Sequence, residues 1–76
     1  MSYLFKEAVI AETQTLLDTS KTQTQNNVYQ KMLDLVEKPM ILHILRTTGG
    51  NQSQAANILG INRATLRTKM KRHNLI

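Results

Sequence analysis

Apolar residues recur at helical spacing along most of this 76-residue chain, and polar or glycine-containing segments divide them into four stretches. In the first stretch, residues 4–17, the apolar side chains fall on one side of a helix, which predicts an amphipathic α-helix. Residues 18–27, DTSKTQTQNN, contain no apolar residue and predict a loop, with Asn27 as the cap of the next helix.

The second stretch, residues 28–47, is the longest helical candidate, and its apolar side chains cover much more than one stripe. A helix that is apolar over so much of its surface needs more than one packing partner, so we expect a homodimer built on the first two helices. Pro39 lies inside this pattern and allows two interpretations: a kinked continuous helix, or one helix ending near Lys38 and another beginning at Pro39. The apolar pattern continues on both sides of Pro39, which favours the kinked helix, and Gly49-Gly50 is expected to end it.

The last two stretches form a pattern typical of a helix-turn-helix. A short helical pattern from Gln52 to Leu59 precedes Gly60, which can adopt the positive φ of a sharp turn. Asn51 and Asn62 are expected to cap the two helices by accepting hydrogen bonds from free backbone N–H groups. Six small or apolar residues are expected where the helices cross: Ala55, Ala56, Leu59, Ile61, Leu66 and Met70.

The charge of the chain is local to the last helix. All five acidic residues precede residue 38, and the charges of residues 1–46 sum to zero. The remaining five basic residues are Arg63, Arg67, Lys69, Lys71 and Arg72. A patch of one sign suggests an anionic partner, and a helix with one apolar and one basic side suits the DNA major groove.

Several function classes are excluded. There is no cysteine for a disulfide or a thiolate metal site, and two histidines alone make no convincing zinc site. No secretory signal is evident, and no apolar stretch approaches the roughly 20 residues that span a bilayer. No strand precedes the glycines, so they form no phosphate-binding fingerprint, and no catalytic set is visible. We expect a cytoplasmic protein that is not an enzyme and needs no cofactor or metal.

The sequence also predicts how several other residues pack. The methionines at 32, 40 and 70 are expected in the core, and His43 at an interface or in the core. His73 is expected to pack on the last helix, and residues 74–76 to fold back so that the final apolar side chains are covered.

Four sequence features occur together in the right order within GNQSQAANILGINRATLRTKMKRHNLI: the GNQ start, the AA pair, the LGINR turn and the TLR-x-K helix. The upstream VEKPMI segment fits a long helix that contains a proline. On these residues the chain resembles the Fis (factor for inversion stimulation) family of bacterial DNA-bending proteins. It also resembles the terminal helix-turn-helix of NtrC-type enhancer-binding activators.

The resemblance implies an all-α, four-helix subunit in an intertwined homodimer, with residues 1–50 serving dimerisation and residues 51–76 forming the DNA-binding unit. It implies a nucleoid-associated regulator of transcription that binds and bends double-stranded DNA with degenerate sequence preference. Carried over by position, phosphate contacts fall to Asn51 and Ser53, and Asn62 begins the reading helix. Arg63 is expected to pair with a guanine edge. The remaining expected contacts are Thr65, Arg67, Lys69, Lys71 and Arg72.

The chain departs from this family in two respects. Gln54 and Thr68 stand where Fis proteins often carry basic residues, so fewer backbone contacts are expected. The chain starts at the first helix and lacks the N-terminal β-hairpin arm of the proteins that stimulate DNA invertases, which speaks against a recombinase partner. Two alternatives remain: the terminal dimerisation and DNA-binding module of a larger activator, and a protein that binds RNA or polyanions generally.

Overall fold

The computed structural model describes residues 3–20 and 27–76, and within them it is all-α. The helices are α1 (Tyr3–Ser20), α2 (Val28–Thr47), α3 (Gln52–Leu59) and α4 (Arg63–Arg72). The four predicted helical stretches are therefore confirmed. None of the helices in the described residues has the length and apolar character that a bilayer crossing requires.

The chain divides into two compact units, Met1–Leu33 and Asp34–Ile76. The described part of the first unit is α1 and the first turns of α2. In α1, no described side chain is fully buried, and its large apolar residues are mostly exposed. Tyr3 and Leu4 are 75% and 79% exposed, and Ile10 is 53% exposed. Three threonine hydroxyls of α1 donate hydrogen bonds to backbone carbonyls of the preceding turn: those of Thr13, Thr15 and Thr19.

The second unit begins within α2, which is one continuous helix across Pro39. This confirms continuity over the alternative of two helices, and the kink stays a prediction. Proline has no N–H, so the carbonyl of Leu35 lacks its usual helical donor. Leu35 is 47% exposed. Solvent therefore has access to this residue of α2.

The core of the second unit lies where α2, α3 and α4 meet. Ala55 and Ala56 of α3 and Leu66 of α4 are at most 2% exposed, and Ile41 of α2 and Met70 of α4 complete the buried cluster. The two alanines are small, so the backbones of α3 and α4 can approach closely. Half-buried apolar side chains surround this cluster: Ile44, Leu45, Leu59, Ile61 and Leu75. The predicted crossing residues are thus confirmed.

Three helices end in the same way, with a left-handed residue that closes two backbone hydrogen bonds. After α3, the N–H of Ile61 donates to the carbonyl of Ala56 at 3.0 Å, and Gly60 has φ 75°. After α2, Gly49 (φ 63°) and Gly50 take the corresponding places, and after α4 Asn74 (φ 59°) does. This is the Schellman arrangement, in which the carbonyls of the last turn are satisfied.

Five expectations were wrong or fall partly outside the structure. The loop predicted for residues 18–27 begins later, because residues 18–20 belong to α1; residues 21–26 lie outside the described residues. Asn27 has φ 52°, in the left-handed region rather than the extended region of an N-cap.

Met40 is 43% exposed and Ile76 is 53% exposed, because α2 and the C-terminal turn place them on the outside. His43 is also exposed, so it is not a core residue of this chain, and its place at an interface stays a prediction.

Replacing Leu66 with Ala should destabilise the chain by about 2–5 kcal/mol, because the side chain is fully buried and the cavity cannot close completely. Urea unfolding followed by circular dichroism at one fixed protein concentration measures the change. Ile58→Ala is the matched control on α3, where the side chain is 56% exposed, and should change stability by less than about 0.5 kcal/mol. Equal losses from the two variants would contradict the assigned core.

Candidate functional site

The N-termini of α3 and α4 are both capped by asparagine. Asn51 Oδ1 accepts a hydrogen bond from the N–H of Gln54 at 2.9 Å, and Asn62 Oδ1 accepts from the N–H of Ala64 at 2.7 Å. Both caps have extended backbone angles, as the role requires. The capping role predicted for Asn51 and Asn62 is therefore confirmed, and both side chains lie at the exposed starts of the helix-turn-helix.

The first turns of these helices carry three of the residues predicted to contact DNA. Ser53 is exposed in the first turn of α3, and Arg63 and Thr65 are exposed in the first turn of α4. No acidic residue lies in either first turn. The positive ends of the two helix dipoles are thus not offset by a local carboxylate, which favours an anion there.

The faces of α4 follow the predicted pattern. Leu66 and Met70 are buried, and Ala64 and Thr68 lie on the outward side, where Thr68 Oγ1 donates to the carbonyl of Ala64 at 3.1 Å. Because Thr68 binds its own backbone, it offers little to a ligand on that side. Cations flank this outward side.

One flank is a stripe of three cations spaced four residues apart: Arg63, Arg67 and Lys71. All three are exposed, and none forms an ion pair among the residues that the structure describes. Arg67 Nη1 donates to Gln52 Oε1 of α3 at 2.9 Å, which links the two helices. The amide carries no charge, so Arg67 keeps its full positive charge for a partner. We call these residues the cationic stripe.

The opposite flank is neutralised by α2. Lys69 Nζ lies 2.7 Å from Glu37 Oε2, and His73 Nε2 lies 3.0 Å from Glu37 Oε1. Arg72 Nη2 lies 2.9 Å from Asp34 Oδ1 and 3.0 Å from Oδ2. Lys69 and Arg72, both predicted to contact an anionic partner, are thus held by carboxylates of the same chain. We call these five side chains the α2–α4 ion cluster.

Hydrogen bonds from His73 and Lys69 lower the pKa of Glu37, against the opposing effect of its partial burial. His73 itself is 7% exposed and its side-chain partner is Glu37 of α2, so its packing on the last helix stays a prediction. The polar atoms of Asp34, Glu37 and His73 lie within 4.8 Å of one another, a spacing that resembles a set of metal ligands. Here two side-chain cations already balance the carboxylates, and the geometry is that of an ion-pair network.

The ion cluster is the feature that the sequence prediction missed. Asp34 and Glu37 stand three residues apart on α2, so they lie on one face of that helix. This spacing was visible in the sequence. The position of their partners on α4 was not, because it depends on how α2 packs over the helix-turn-helix.

Two capped helices, a three-residue glycine-containing turn and a buried crossing define a helix-turn-helix protein. The family described as "Bacterial regulatory protein, Fis family" matches residues 32–73. The chain belongs to this family.

Several curated proteins named "DNA-binding protein Fis" are similar to the chain. The protein of Buchnera aphidicola subsp. Schizaphis graminum is 46% identical over 59 residues, which cover 78% of this chain and 60% of the relative. That of Aliivibrio fischeri (strain MJ11) is 39% identical over 92% of this chain and 71% of the relative. That of Haemophilus influenzae (strain PittEE) is 49% identical over 70% of this chain and 54% of the relative. The chain thus spans between about half and three quarters of their length. No solved structure matches it significantly.

The lowered pKa of Glu37 predicts a loss of stability in acid. The folded chain binds the proton of the Glu37 carboxyl less tightly than the unfolded chain does. The stabilisation by Glu37 is therefore present above about pH 4.3 and is lost as the pH falls through the lower pKa that Glu37 has in the folded state. Thermal unfolding should therefore separate the wild type from Glu37→Gln at about pH 6, and the difference should shrink at about pH 3. A difference that stays constant over this range would contradict the assignment.

Proposed function

We propose that the chain is a homodimeric protein that binds and bends double-stranded DNA, and that it acts as a nucleoid-associated regulator of transcription in the bacterial cytoplasm. The observation that supports this best is the cationic stripe of Arg63, Arg67 and Lys71, exposed along the second helix of a helix-turn-helix. The names of the curated relatives, all "DNA-binding protein Fis", support the same function. They favour it over a terminal module of an enhancer-binding activator.

In this proposal α4 enters the major groove and its first turn reads the bases. Arg63 is the base-reading residue, because a guanidinium can donate two hydrogen bonds to a guanine edge. Asn62 and Thr65 lie beside it at the start of the helix. Lys69 and Arg72 complete the predicted set, but in the single chain both donate to carboxylates of α2, which compete with a phosphate for them.

Phosphates are held at two further places. The exposed Asn51 and Ser53 stand at the N-terminus of α3, where free backbone N–H groups favour an anion. Arg67 and Lys71 extend the contact along α4. These contacts fix the register of the protein on the duplex and carry no sequence information of their own.

The dimer follows from apolar side chains that the single chain leaves exposed. On α1 these include Leu4 and Ile10, and on α2 they include Leu35, Val36 and Met40. In each of the two units, exposed apolar side chains of this size favour an interface with another molecule. We assign residues 1–50 to dimerisation and residues 51–76 to DNA binding. Neither role requires catalysis or a cofactor.

Bending is the part of the proposal that comes from the family. Its dimers hold the two reading helices closer together than one turn of straight DNA, so the duplex must curve to meet both. The curvature costs a few kcal/mol by elastic estimates, roughly 1–6 kcal/mol for a site of this size, and the cost depends on the sequence. This explains a preference for deformable sites without many base contacts.

The wild-type protein should bind duplex DNA with an affinity that falls as salt rises. Three cations of α4 in each subunit form no ion pair with a described residue, so a dimer neutralises about six phosphates and log K should fall against log salt with a slope of about −5. Gel shifts with circularly permuted duplexes, repeated over a salt series, report binding and bending together. Arg63→Ala should weaken binding by about 1–3 kcal/mol and relax base preference.

Lys38→Gln is the control for this experiment, because it removes a cation from the exposed surface of α2 and leaves α4 unchanged. It should alter neither the base preference nor the bend. Tighter binding to structured RNA than to duplex DNA, or a salt-independent affinity, would refute the proposed function.

Sedimentation at micromolar concentration should give a dimer. Ile10→Asp should shift it to monomer, because the charge falls on the apolar side of α1, where Ile10 is 53% exposed in the single chain. Ala11→Asp is the matched control, since it adds the same charge to the next residue on the polar side of α1 and should leave the dimer intact. A monomeric wild type, or equal effects of the two variants, would contradict the dimer.

A further inference from the structure

We propose that Asp34 and Glu37 of α2 act as an internal competitor for DNA, withholding Lys69 and Arg72 from phosphate so that the cationic stripe makes the ionic contact. The inference rests on the proposed function. It assigns a role to two acidic residues that would not touch the DNA themselves.

The geometry of Glu37 supports this assignment. Its side chain is 17% exposed, and each carboxylate oxygen has its own partner, Lys69 on one and His73 on the other. No buried polar side-chain atom among the described residues lacks a hydrogen-bond partner. The carboxylate is thus fully satisfied by α4, and Lys69 is one third exposed in this position.

Moving Lys69 to a phosphate would leave Glu37 partly buried without its cation. Removing one partner of such a pair costs more than the pair contributes, because the remaining charge has lost its solvation and gained nothing. Lys71 carries the same charge two residues further on, forms no ion pair with any residue that the structure describes and incurs no such cost. Lys69 and Lys71 should therefore differ in how readily they contact phosphate.

Arg72 and Asp34 form the weaker half of the competitor. Their side chains are 50% and 37% exposed, so water screens the pair and it opens more readily. The order of availability to phosphate is then Lys71 first, Arg72 second and Lys69 last.

The carboxylates also steer the approach of the ligand. They lie on the α2 side of α4, whereas the cationic stripe Arg63, Arg67 and Lys71 lies on the other flank. A phosphate backbone that approaches from the α2 side meets cations that Asp34 and Glu37 already balance, whereas one that approaches along the stripe meets three cations without an ion pair in the described part of the chain. The competitor therefore selects which flank of α4 faces the backbone.

The main experiment compares Lys69→Gln with Lys71→Gln in the salt dependence of duplex binding. Lys71→Gln removes two phosphate contacts from the dimer and should make the slope of log K against log salt shallower by about 2. Lys69→Gln should leave the slope unchanged. Equal changes in slope would overturn the inference while leaving the proposed function intact. If the wild type shows no salt-dependent duplex binding, the proposed function itself is refuted, and the inference that rests on it with it.

The converse experiment releases the cations. Glu37→Gln and Asp34→Asn should each free one cation per subunit and make the slope steeper by about 2. Glu12→Gln on α1 is the matched control: it changes the net charge equally at an exposed site and should leave the slope as in the wild type. A wild-type slope in a folded Glu37→Gln variant would also overturn the inference. If circular dichroism shows that Glu37→Gln does not fold, Asp34→Asn decides with the same outcomes.

Discussion

The packing of Leu66 against Ala55 and Ala56 is the contact on which the second unit depends. Side chains larger than alanine would separate α3 from α4, and the short turn through Gly60 could not then span them. Ile41 of α2 closes the same cluster. This contact fixes the direction of α4 relative to α3 and α2. It therefore also determines where each charged side chain of α4 lies. The exposed face of the helix is therefore a consequence of its buried one.

Most of the architecture was predictable, because it follows from local chemistry. Asn51, Gly60 and Asn62 have backbone and capping preferences that mark helix ends wherever they occur, and the structure has each in its expected role. The small and apolar residues at the crossing were predictable for the same reason, since their spacing already defines a face. The end of α1 was placed too early, because polar residues such as Asp18 and Thr19 are compatible with either a helix or a loop.

The site was less predictable than the fold, because its charges depend on neighbours distant in sequence. Lys69 and Lys71 look alike in the sequence, and only the position of Glu37 separates them. The same applies to Met40 and His43, which the apolar pattern of α2 suggested were covered and which the single chain exposes. Sequence pattern identifies which residues share a face. It does not say which other element, or which other molecule, that face meets.

α2 is attached to the rest of the second unit by a different kind of contact on each side of Pro39. It stands two residues after Glu37, which holds α4 through charge, and two residues before Ile41, which holds it through the core. The backbone bond that Pro39 cannot donate, to the carbonyl of Leu35, is missing from the same part of α2. Glu37 and Ile41 stand about one helical turn apart, so an ion pair and a buried side chain anchor α2 on either side of the proline. Side-chain contacts with α4 and the core thus brace the one turn of α2 whose backbone bonding is incomplete.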